Sequence, residues 1–208
     1  MSTAPSGGGD PSATRDLERE LMERAKAGDR PSYSRLFDLC QDRIYRLAYT
    51  LLHHGAEADD CVQETFLRGL EKISTYRGDA APNAWFAAIA LNLCRHRFRD
   101  GKRGPAAASE MNLESGHRVG RPRTRAVISK ISQQENGRLI AIALGALTES
   151  QREVFALKYE DELSYEEIGQ ILGMKPGAAR ALAHRAKAAL RKELGAQVWD
   201  DAASHFKD

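Results

Sequence analysis

The sequence has few cysteines and no long apolar run, and each shortage argues against a class of protein. Its 3 cysteines are far apart and in no Cys-x-x-Cys spacing, so neither a disulfide framework nor a structural zinc site is expected, and a reducing cytoplasm fits best. No apolar stretch approaches the roughly 20 residues that span a bilayer, which excludes membrane insertion. Residues 1–14 lack the basic leader and apolar core of a secretory signal.

Net charge is also nearly absent, but the small sum hides an uneven distribution. The formal net charge is +2 over 208 residues. Residues 56–66 and 149–167 are rich in acids, whereas residues 95–125 and 175–192 are rich in bases. Segregation of this kind indicates faces with different partners, proteins for the acidic blocks and nucleic acid for the basic ones. For any single block, a solvated helix face is the alternative.

The spacing of apolar residues predicts an all-α fold. One helix is expected at about residues 15–28, and a second runs from Tyr33 to Leu51 with apolar residues spaced i, i+3, i+4, i+7. Asp29 is the expected N-cap of this second helix. A third helix is predicted at about residues 56–73, and a fourth follows Pro82. No segment has the alternation of a strand, so these four helices form one predicted domain.

A second helical region follows a stretch that is rich in Gly, Pro, Ser and Arg. Capping-box patterns begin at Thr148 and Ser164, Gly173 is expected to end a helix, and Pro176 suits the first turn of the next. The predicted fold is therefore two small helical domains joined by a flexible basic linker. The predicted organisation is a disordered tail at 1–14, a first domain at 15–100, the linker at 101–135, a helix-turn-helix domain at 136–194 and a C-terminal tail at 195–208.

The strongest functional pattern is this helix-turn-helix. Its second helix places apolar residues on one face and Arg180, His184 and Lys187 on the opposite face, with Arg185 beside them. Such a row can reach phosphates and base edges when the helix enters a major groove. A helical hairpin with a basic solvent face is the alternative.

Two further groups of residues share a helix face. On the third helix, Asp60, Gln63, Glu64 and Leu67 form a stripe that is a candidate protein-docking site. Spacing alone also fits a solvated face.

On the fourth helix and the loop before it, amide, aromatic and basic groups could hold unstacked bases and a phosphate backbone. A plain core role for Trp85 fits its spacing equally well. The residues of this group are Tyr76, Arg77, Asn83, Asn92, Arg95, His96 and Arg99.

Two other patterns suggest chemistry less strongly. His53 and His54 with nearby acids do not make a closed metal-ligand set, because adjacent histidines point in different directions on a helix. Cys61 and Cys94 lie near apolar stripes, and we interpret them as buried small apolar residues rather than as redox switches.

Together these motifs resemble the extracytoplasmic-function sigma factors of bacterial RNA polymerase. The resemblance covers roughly residues 15–194, and the order of the motifs on either side of a linker makes it specific. The motifs are Leu36-Phe37, Asp60-x-x-Gln63-Glu64-x-Phe66, Trp85-x-x-x-Ile89-x-x-Asn92, Leu147-Thr148-Glu149-Ser150-Gln151-Arg152, Glu167-Ile168-Gly169 and His184-Arg185-Ala186-Lys187.

The resemblance implies a role for each region. Asp60, Gln63, Glu64, Phe66 and Leu67 fall where the family docks on core RNA polymerase. The loop from Tyr76 to Asn83 and the helix that carries Trp85, Asn92 and Arg95 fall where it melts and reads the minus-ten promoter element. The linker would thread polymerase near the RNA exit path. Lys175, Ala178, Arg180, Ala181, His184, Arg185 and Lys187 fall where the family reads the minus-thirty-five element.

The resemblance also implies the partners of the chain. They are core RNA polymerase, promoter DNA and an anti-sigma factor, with no small-molecule substrate, no cofactor, no metal and no catalytic residue, because the chemistry belongs to the polymerase. The expected location is the cytoplasm, on the nucleoid or held at the inner membrane by the anti-sigma factor.

The recognition helix departs from the family pattern. The side chains of Ala178 and Ala181 offer no hydrogen bonds to DNA bases. Leu182 occupies a position where family members usually have a basic residue. We therefore expect weak or shape-based readout upstream, with more discrimination in the melted region. Two alternatives stay open: a sigma-like regulator that binds polymerase or another protein but reads DNA poorly, and a stand-alone helix-turn-helix repressor acting as a dimer.

Overall fold

The structure, a computed structural model, describes residues 11–99 and 142–203. All regular elements within these ranges are helical, which confirms the all-α prediction. None of the helices in these two ranges has the length and apolar character needed to cross a bilayer. The predicted basic linker lies outside the described residues.

The first half consists of α1 (Pro11–Lys26), α2 (Arg30–Leu52), α3 (Gly55–Lys72), a 3-10 turn (Ile73–Thr75) and α4 (Pro82–Arg99). The apolar stripe of α2 is buried as its spacing predicts, with Leu36, Ile44 and Leu47 fully enclosed. Helix α1 begins at Pro11, four residues before the predicted start of the first domain at residue 15, and proline is tolerated at a first helical position.

The caps of α2 and α3 differ from a simple sequence interpretation. Asp29 occupies the N-cap position of α2, but its carboxylate accepts hydrogen bonds from Ser32 and Arg24 side chains rather than from a backbone N–H. His53 ends α2 in the left-handed conformation, and His54 caps α3 by accepting a hydrogen bond from the Glu57 N–H through Nδ1. The two histidines therefore form the tight turn between α2 and α3.

The second half contains a helical turn at residues 142–145, α5 (Glu149–Phe155), a π-helical turn (Ala156–Glu160), α6 (Tyr165–Leu172) and α7 (Pro176–Ala203). Both predicted capping boxes are confirmed: Thr148 caps α5 and Ser164 caps α6, each with its reciprocal side-chain bond. Helix α7 extends into the predicted C-terminal tail, since no proline interrupts it after Pro176.

The turn of the helix-turn-helix depends on two glycines. Gly173 ends α6 at a φ of 67°, in the left-handed region that glycine adopts without strain. A Cβ atom at Gly169 would lie 2.6 Å from the Met174 carbonyl oxygen, so only glycine lets the turn pass this close to α6. These glycines hold α6 and α7 in contact.

Arg152, the last residue of the motif that begins at Leu147, has a structural role. Its guanidinium is almost buried, and it donates hydrogen bonds to the carbonyl oxygens of Leu144 and Leu147 at 3.1 Å each. Burial lowers the pKa of Arg152 from its ordinary value. The side chain therefore closes the end of the turn that precedes α5.

Among the described residues, one apolar cluster runs through both halves and another lies within the second half. Buried residues of α2 and α4 form a continuous cluster with Leu157 of the π-helical turn, Leu163, and Ile168 of α6. Polar contacts reinforce this packing: Arg46 of α2 donates to the backbone carbonyl of Glu160 at 3.0 Å. The two halves therefore pack against each other in a closed arrangement.

Candidate polymerase and promoter interface

The predicted docking stripe lies along one side of α3. Asp60, Gln63 and Leu67 are exposed, and 65% of the Leu67 surface is accessible. Glu64 is half-buried and pairs with Arg68 at 2.6 Å and with Arg97 of α4 at 3.6 Å. We name these four residues, Asp60, Gln63, Glu64 and Leu67, the docking face. It presents an acidic, amide and apolar surface to solvent.

Phe66 does not share this face. Its side chain is only 4% exposed, and its ring lies against Phe37 at 4.8 Å and Phe86 at 4.6 Å between ring centroids. A ring that packs this way anchors α3 on α2 and α4, so its aromatic surface is not available to a partner in this arrangement. The helical repeat explains why Phe66 points away from the docking face, because it places Phe66 among the buried residues of α3.

The loop before α4 is held by its own contacts. Tyr76 is buried, its hydroxyl donates to the Ala80 carbonyl at 2.7 Å, and its ring meets Trp85 edge-on at 5.7 Å. Lys26 of α1 donates to the Tyr76 carbonyl at 2.7 Å. Arg77 is exposed. Of the two loop residues, only Arg77 is therefore open to a ligand here.

Asn83 lies in the contact between the two halves. Its side chain is 3% exposed, and its amide nitrogen donates to Asp161 Oδ1 at 2.8 Å and to the Asp161 carbonyl at 3.3 Å. Burial raises the pKa of Asp161 to about 7, an effect that the Asn83 hydrogen bond partly offsets. Asn83 cannot reach a base while this contact holds.

Arg95 makes a second polar contact between the halves. Its guanidinium binds the Glu153 carboxylate of α5 in a two-pronged arrangement, at 2.5 Å from Nε and 2.7 Å from Nη2. This hydrogen bonding raises the pKa of Arg95. Asn92 and His96 on the same helix are exposed, whereas the side chain of Arg99 is outside the described set. Part of the predicted minus-ten surface is thus covered.

The covering groups are acids that sequence reasoning did not assign to this contact. Glu153, Glu160 and Asp161 all belong to the acid-rich block at residues 149–167, which the charge distribution assigned to protein contact. Glu160 pairs with Arg46 at 3.4 Å and accepts from Thr50 at 3.3 Å. The acid-rich block is the feature of the sequence that indicates a protein contact here. In this structure, three of its acids contact the first half of the same chain.

The predicted DNA-facing side of the recognition helix, α7, and of the turn before it is exposed to solvent. All but one of its predicted DNA-binding residues are exposed; Lys187 is half-buried, with its amine 5.8 Å from the Tyr159 ring centroid. The Arg180 guanidinium lies 5.1 Å from the ring centroid of Tyr165 on α6. Ala179, Ala183 and Ala186 are buried on the opposite side, as their spacing predicts. The exposed set is Lys175, Ala178, Arg180, Ala181, His184 and Arg185.

The histidines at the end of α2 do not form a ligand set. Burial and, to a smaller extent, the charge of Arg152 lower the pKa of His53 to about 4. The Nδ1 atom of His54 accepts the hydrogen bond that caps α3. Within residues 11–99 and 142–203, no three His, Cys, Asp or Glu side chains cluster as metal ligands would.

Comparison with known families matches both halves of this arrangement. Residues 36–104 match Sigma-70 region 2, and residues 138–190 match Sigma-70 region 4. The chain is 33% identical to the extracytoplasmic-function (ECF) RNA polymerase sigma factor BldN of Streptomyces coelicolor, over 88% of this chain and 69% of that protein. It is 29% identical to the sigma factor SigW of Bacillus subtilis, over 85% of this chain and 96% of SigW.

Solved structures share the fold. A structure of CnrH in complex with the cytosolic domain of CnrY superposes with a TM-score of 0.64 at 23% identity, covering 87% of this chain and 99% of CnrH. The sigma factor RpoE of Bartonella quintana, in complex with the anti-sigma factor NepR, gives 0.57 at 21% identity, covering 76% and 94%.

These findings define a class and a family. The two helical halves, one of them a helix-turn-helix, are those of a bacterial transcription initiation factor. The chain belongs to the extracytoplasmic-function sigma factors. It binds core RNA polymerase and promoter DNA and directs promoter-specific initiation of transcription.

Proposed function

We propose that this sigma factor divides its work among three surfaces. The docking face on α3 binds core polymerase. A minus-ten face, made of Tyr76, Arg77, Asn83, Trp85, Asn92, Arg95, His96 and Arg99, melts and reads the downstream promoter element. A minus-thirty-five face, made of Lys175, Ala178, Arg180, Ala181, His184, Arg185 and Lys187, meets the upstream element. In this proposal residues 15–100 and 136–194 act as separate domains on polymerase, with residues 101–135 linking them.

One observation supports a switch between closed and open forms. The docking and minus-thirty-five faces are largely exposed, whereas Asn83 and Arg95 of the minus-ten face are held by Asp161 and Glu153. A carboxylate bound to an arginine occupies the position that a DNA phosphate would take. Promoter binding therefore requires that the two halves separate. Binding to core polymerase through the docking face, which is already accessible, would precede that separation.

Reconstitution with core RNA polymerase tests the proposal. We expect transcripts that start at a defined set of sites on genomic DNA and that disappear when the chain is omitted. Tight polymerase binding without any promoter-dependent transcript would contradict it, and would favour a sigma-like regulator that reads DNA poorly.

That second candidate rests on the recognition helix. Ala178 and Ala181 are exposed where side chains would meet base edges, and neither can donate or accept a hydrogen bond there. We propose that Arg180 contacts phosphate, so that Arg180→Ala weakens binding about equally for all sequences. Competition between specific and random DNA measures this, and a sharp change in sequence preference at unchanged nonspecific affinity would contradict it.

The partners and location follow from the same reading. We propose a cytoplasmic protein without enzymatic activity that is held inactive by an anti-sigma factor. The complexes formed by CnrH and by RpoE of Bartonella quintana support such a partner. Purification of the chain from uninduced cells should recover a second protein bound to it. Adding this second protein to the reconstituted transcription reaction should abolish the promoter-dependent transcripts. Full activity of the chain purified from those cells would contradict this part.

A further inference from the structure

Two cysteines that are 33 positions apart in the chain lie in contact between α3 and α4. The Sγ atoms of Cys61 and Cys94 are 3.7 Å apart, and both side chains are buried. Their positions near the apolar stripes predict two buried small apolar residues and do not predict this contact. The structure shows a pair of thiols in the core of the first half, one on α3, which carries the docking face, and one on α4, which carries part of the minus-ten face.

The local packing brings the two sulfur atoms together. Ala58 of α3 and Ala87 and Ala90 of α4 are all buried, and such small residues let two helices approach closely. The Cys61 thiol also lies 3.8 Å from the Ala90 carbonyl oxygen. The sulfur atoms of a disulfide are about 2 Å apart. Rotation of two short side chains and a small shift of the helices would close the remaining gap.

The two thiols are chemically unequal. A hydrogen bond from Cys94 lowers the pKa of the Cys61 thiol, and this effect outweighs burial, which raises it; Thr65 and Arg97 also lower it. The same bond and burial raise the pKa of Cys94. A thiol with a lowered pKa beside a second thiol is the arrangement in which the first sulfur attacks an oxidant and the second resolves the product.

We propose that Cys61 and Cys94 form a reversible intramolecular disulfide in the folded protein when a hydroperoxide is present. The Cys61 thiolate attacks one peroxide oxygen and the O–O bond breaks, leaving a sulfenic acid on Cys61 and releasing water or an alcohol. Cys94 then attacks the Cys61 sulfur, the S–O bond breaks, and water leaves with the Cys94 proton. Two thiols are oxidised and one hydroperoxide is reduced.

The bond would join α3 to α4 and enclose the loop that carries Tyr76 and Arg77. A cross-link of this kind removes freedom mainly from the unfolded chain, so the oxidised protein should be the more stable form. Because both sulfur atoms are buried, a small hydroperoxide should react faster than a bulky disulfide oxidant such as glutathione disulfide.

Cys40 provides the internal control. It is also buried, burial raises its pKa to about 12, and its sulfur lies near Arg43 rather than near another thiol. Oxidation of the full chain with hydrogen peroxide, followed by alkylation and peptide mass spectrometry, should link Cys61 to Cys94 and leave Cys40 free to be alkylated. The intact protein should lose about 2 Da, one hydrogen from each thiol, and a dithiol reductant should restore it.

Variants and a stability measurement complete the test. Cys40→Ser should form the bond, whereas Cys61→Ser and Cys94→Ser should not. The oxidised protein should unfold at a temperature higher by roughly 5–15 °C. A link that forms only in denaturant, a link that involves Cys40, or a lowered unfolding temperature would overturn the inference. The assay contains no polymerase or DNA, so its outcome is independent of the proposed transcriptional roles.

Discussion

Asn83 and Asp161 form a buried hydrogen bond between two parts of the chain that are 78 positions apart. The Asn83 amide donates to the Asp161 carboxylate at 2.8 Å, and Asp161 is 1% exposed. One partner belongs to the proposed minus-ten face and the other to the acid-rich block of the second half. The contact therefore couples the availability of a DNA-reading residue to the packing of the two halves.

Closure should depend on pH through Asp161. Burial raises the pKa of this carboxyl to about 7, against an ordinary value of 3.8 in the exposed state. Between these two pH values the closed form binds more protons than the open form. The contribution of Asp161 to the stability of the closed form is therefore complete below about pH 4 and is lost as pH rises through about 7. Energy transfer between labels on α4 and α6 should therefore fall as pH rises from about 4 to about 7 and change little above that range.

The variant Asp161→Asn is the control for that measurement. An amide imitates the protonated carboxyl and can still accept from Asn83, so closure should persist above pH 7. Arg43, Arg46 and Glu18 also act on Asp161 and remain in the variant. His53, whose pKa is lowered to about 4, contributes in the opposite sense as pH falls below about 6.5. An unchanged pH profile in the variant would rule out Asp161 as the cause.

Removing the charge of Glu153 should open the chain. The two-pronged contact with Arg95 is a hydrogen bond between charged groups, a class that contributes about 1.5–3 kcal/mol. Glu153→Gln should therefore raise the affinity of the free protein for single-stranded minus-ten DNA by about 10-fold, because the open form is no longer scarce. Fluorescence anisotropy with a labelled oligonucleotide measures the effect.

Glu166→Gln supplies the matched comparison. Glu166 is an exposed acid in the first turn of α6, whereas the carboxylate that binds Arg95 is that of Glu153 on α5. Its replacement removes the same charge from the same half and should leave DNA affinity unchanged. Equal gains in both variants would mean that general charge, rather than the Arg95 contact, controls binding.

Reversing the charge of Asp60 should weaken polymerase binding. Asp60 is exposed on the docking face, so Asp60→Lys places a like charge where the proposal requires a favourable one. We expect a loss of about 10-fold or more in affinity for core polymerase, with stability changed by less than about 0.5 kcal/mol. Glu20→Lys, a charge reversal at an exposed acid of α1 rather than of α3, should bind normally. Native gel titration distinguishes the two, and an intact complex with Asp60→Lys would refute the assignment.

Phe66 should matter for stability rather than for direct contact. Its ring fills the space between α2, α3 and α4, so Phe66→Ala should lower the free energy of unfolding by about 3–5 kcal/mol. Leu67→Ala, one residue along and exposed, should change it by less than about 0.5 kcal/mol. Urea unfolding followed by circular dichroism measures both. Equal stability of the two variants would place Phe66 outside the core.

Local features of this protein were predictable because they depend on neighbours in the chain. The capping boxes at Thr148 and Ser164 and the left-handed Gly173 all involve residues within a few positions of one another. The buried stripe of α2 follows from helical period alone. The same period places Phe66 among buried residues, whereas its place in the docking motif came from resemblance, and the structure follows the period.

The sequence alone therefore determines the helices, the capping boxes of α5 and α6, the segregation of charge and the family. Tertiary structure decides which surfaces are free. Asn83 is buried against Asp161, Arg95 is held by Glu153, and Cys61 touches Cys94, although no periodicity or motif relates the members of these pairs. Such contacts join distant positions, and packing of whole helices sets them, so they emerge only when the two halves of the core close on each other.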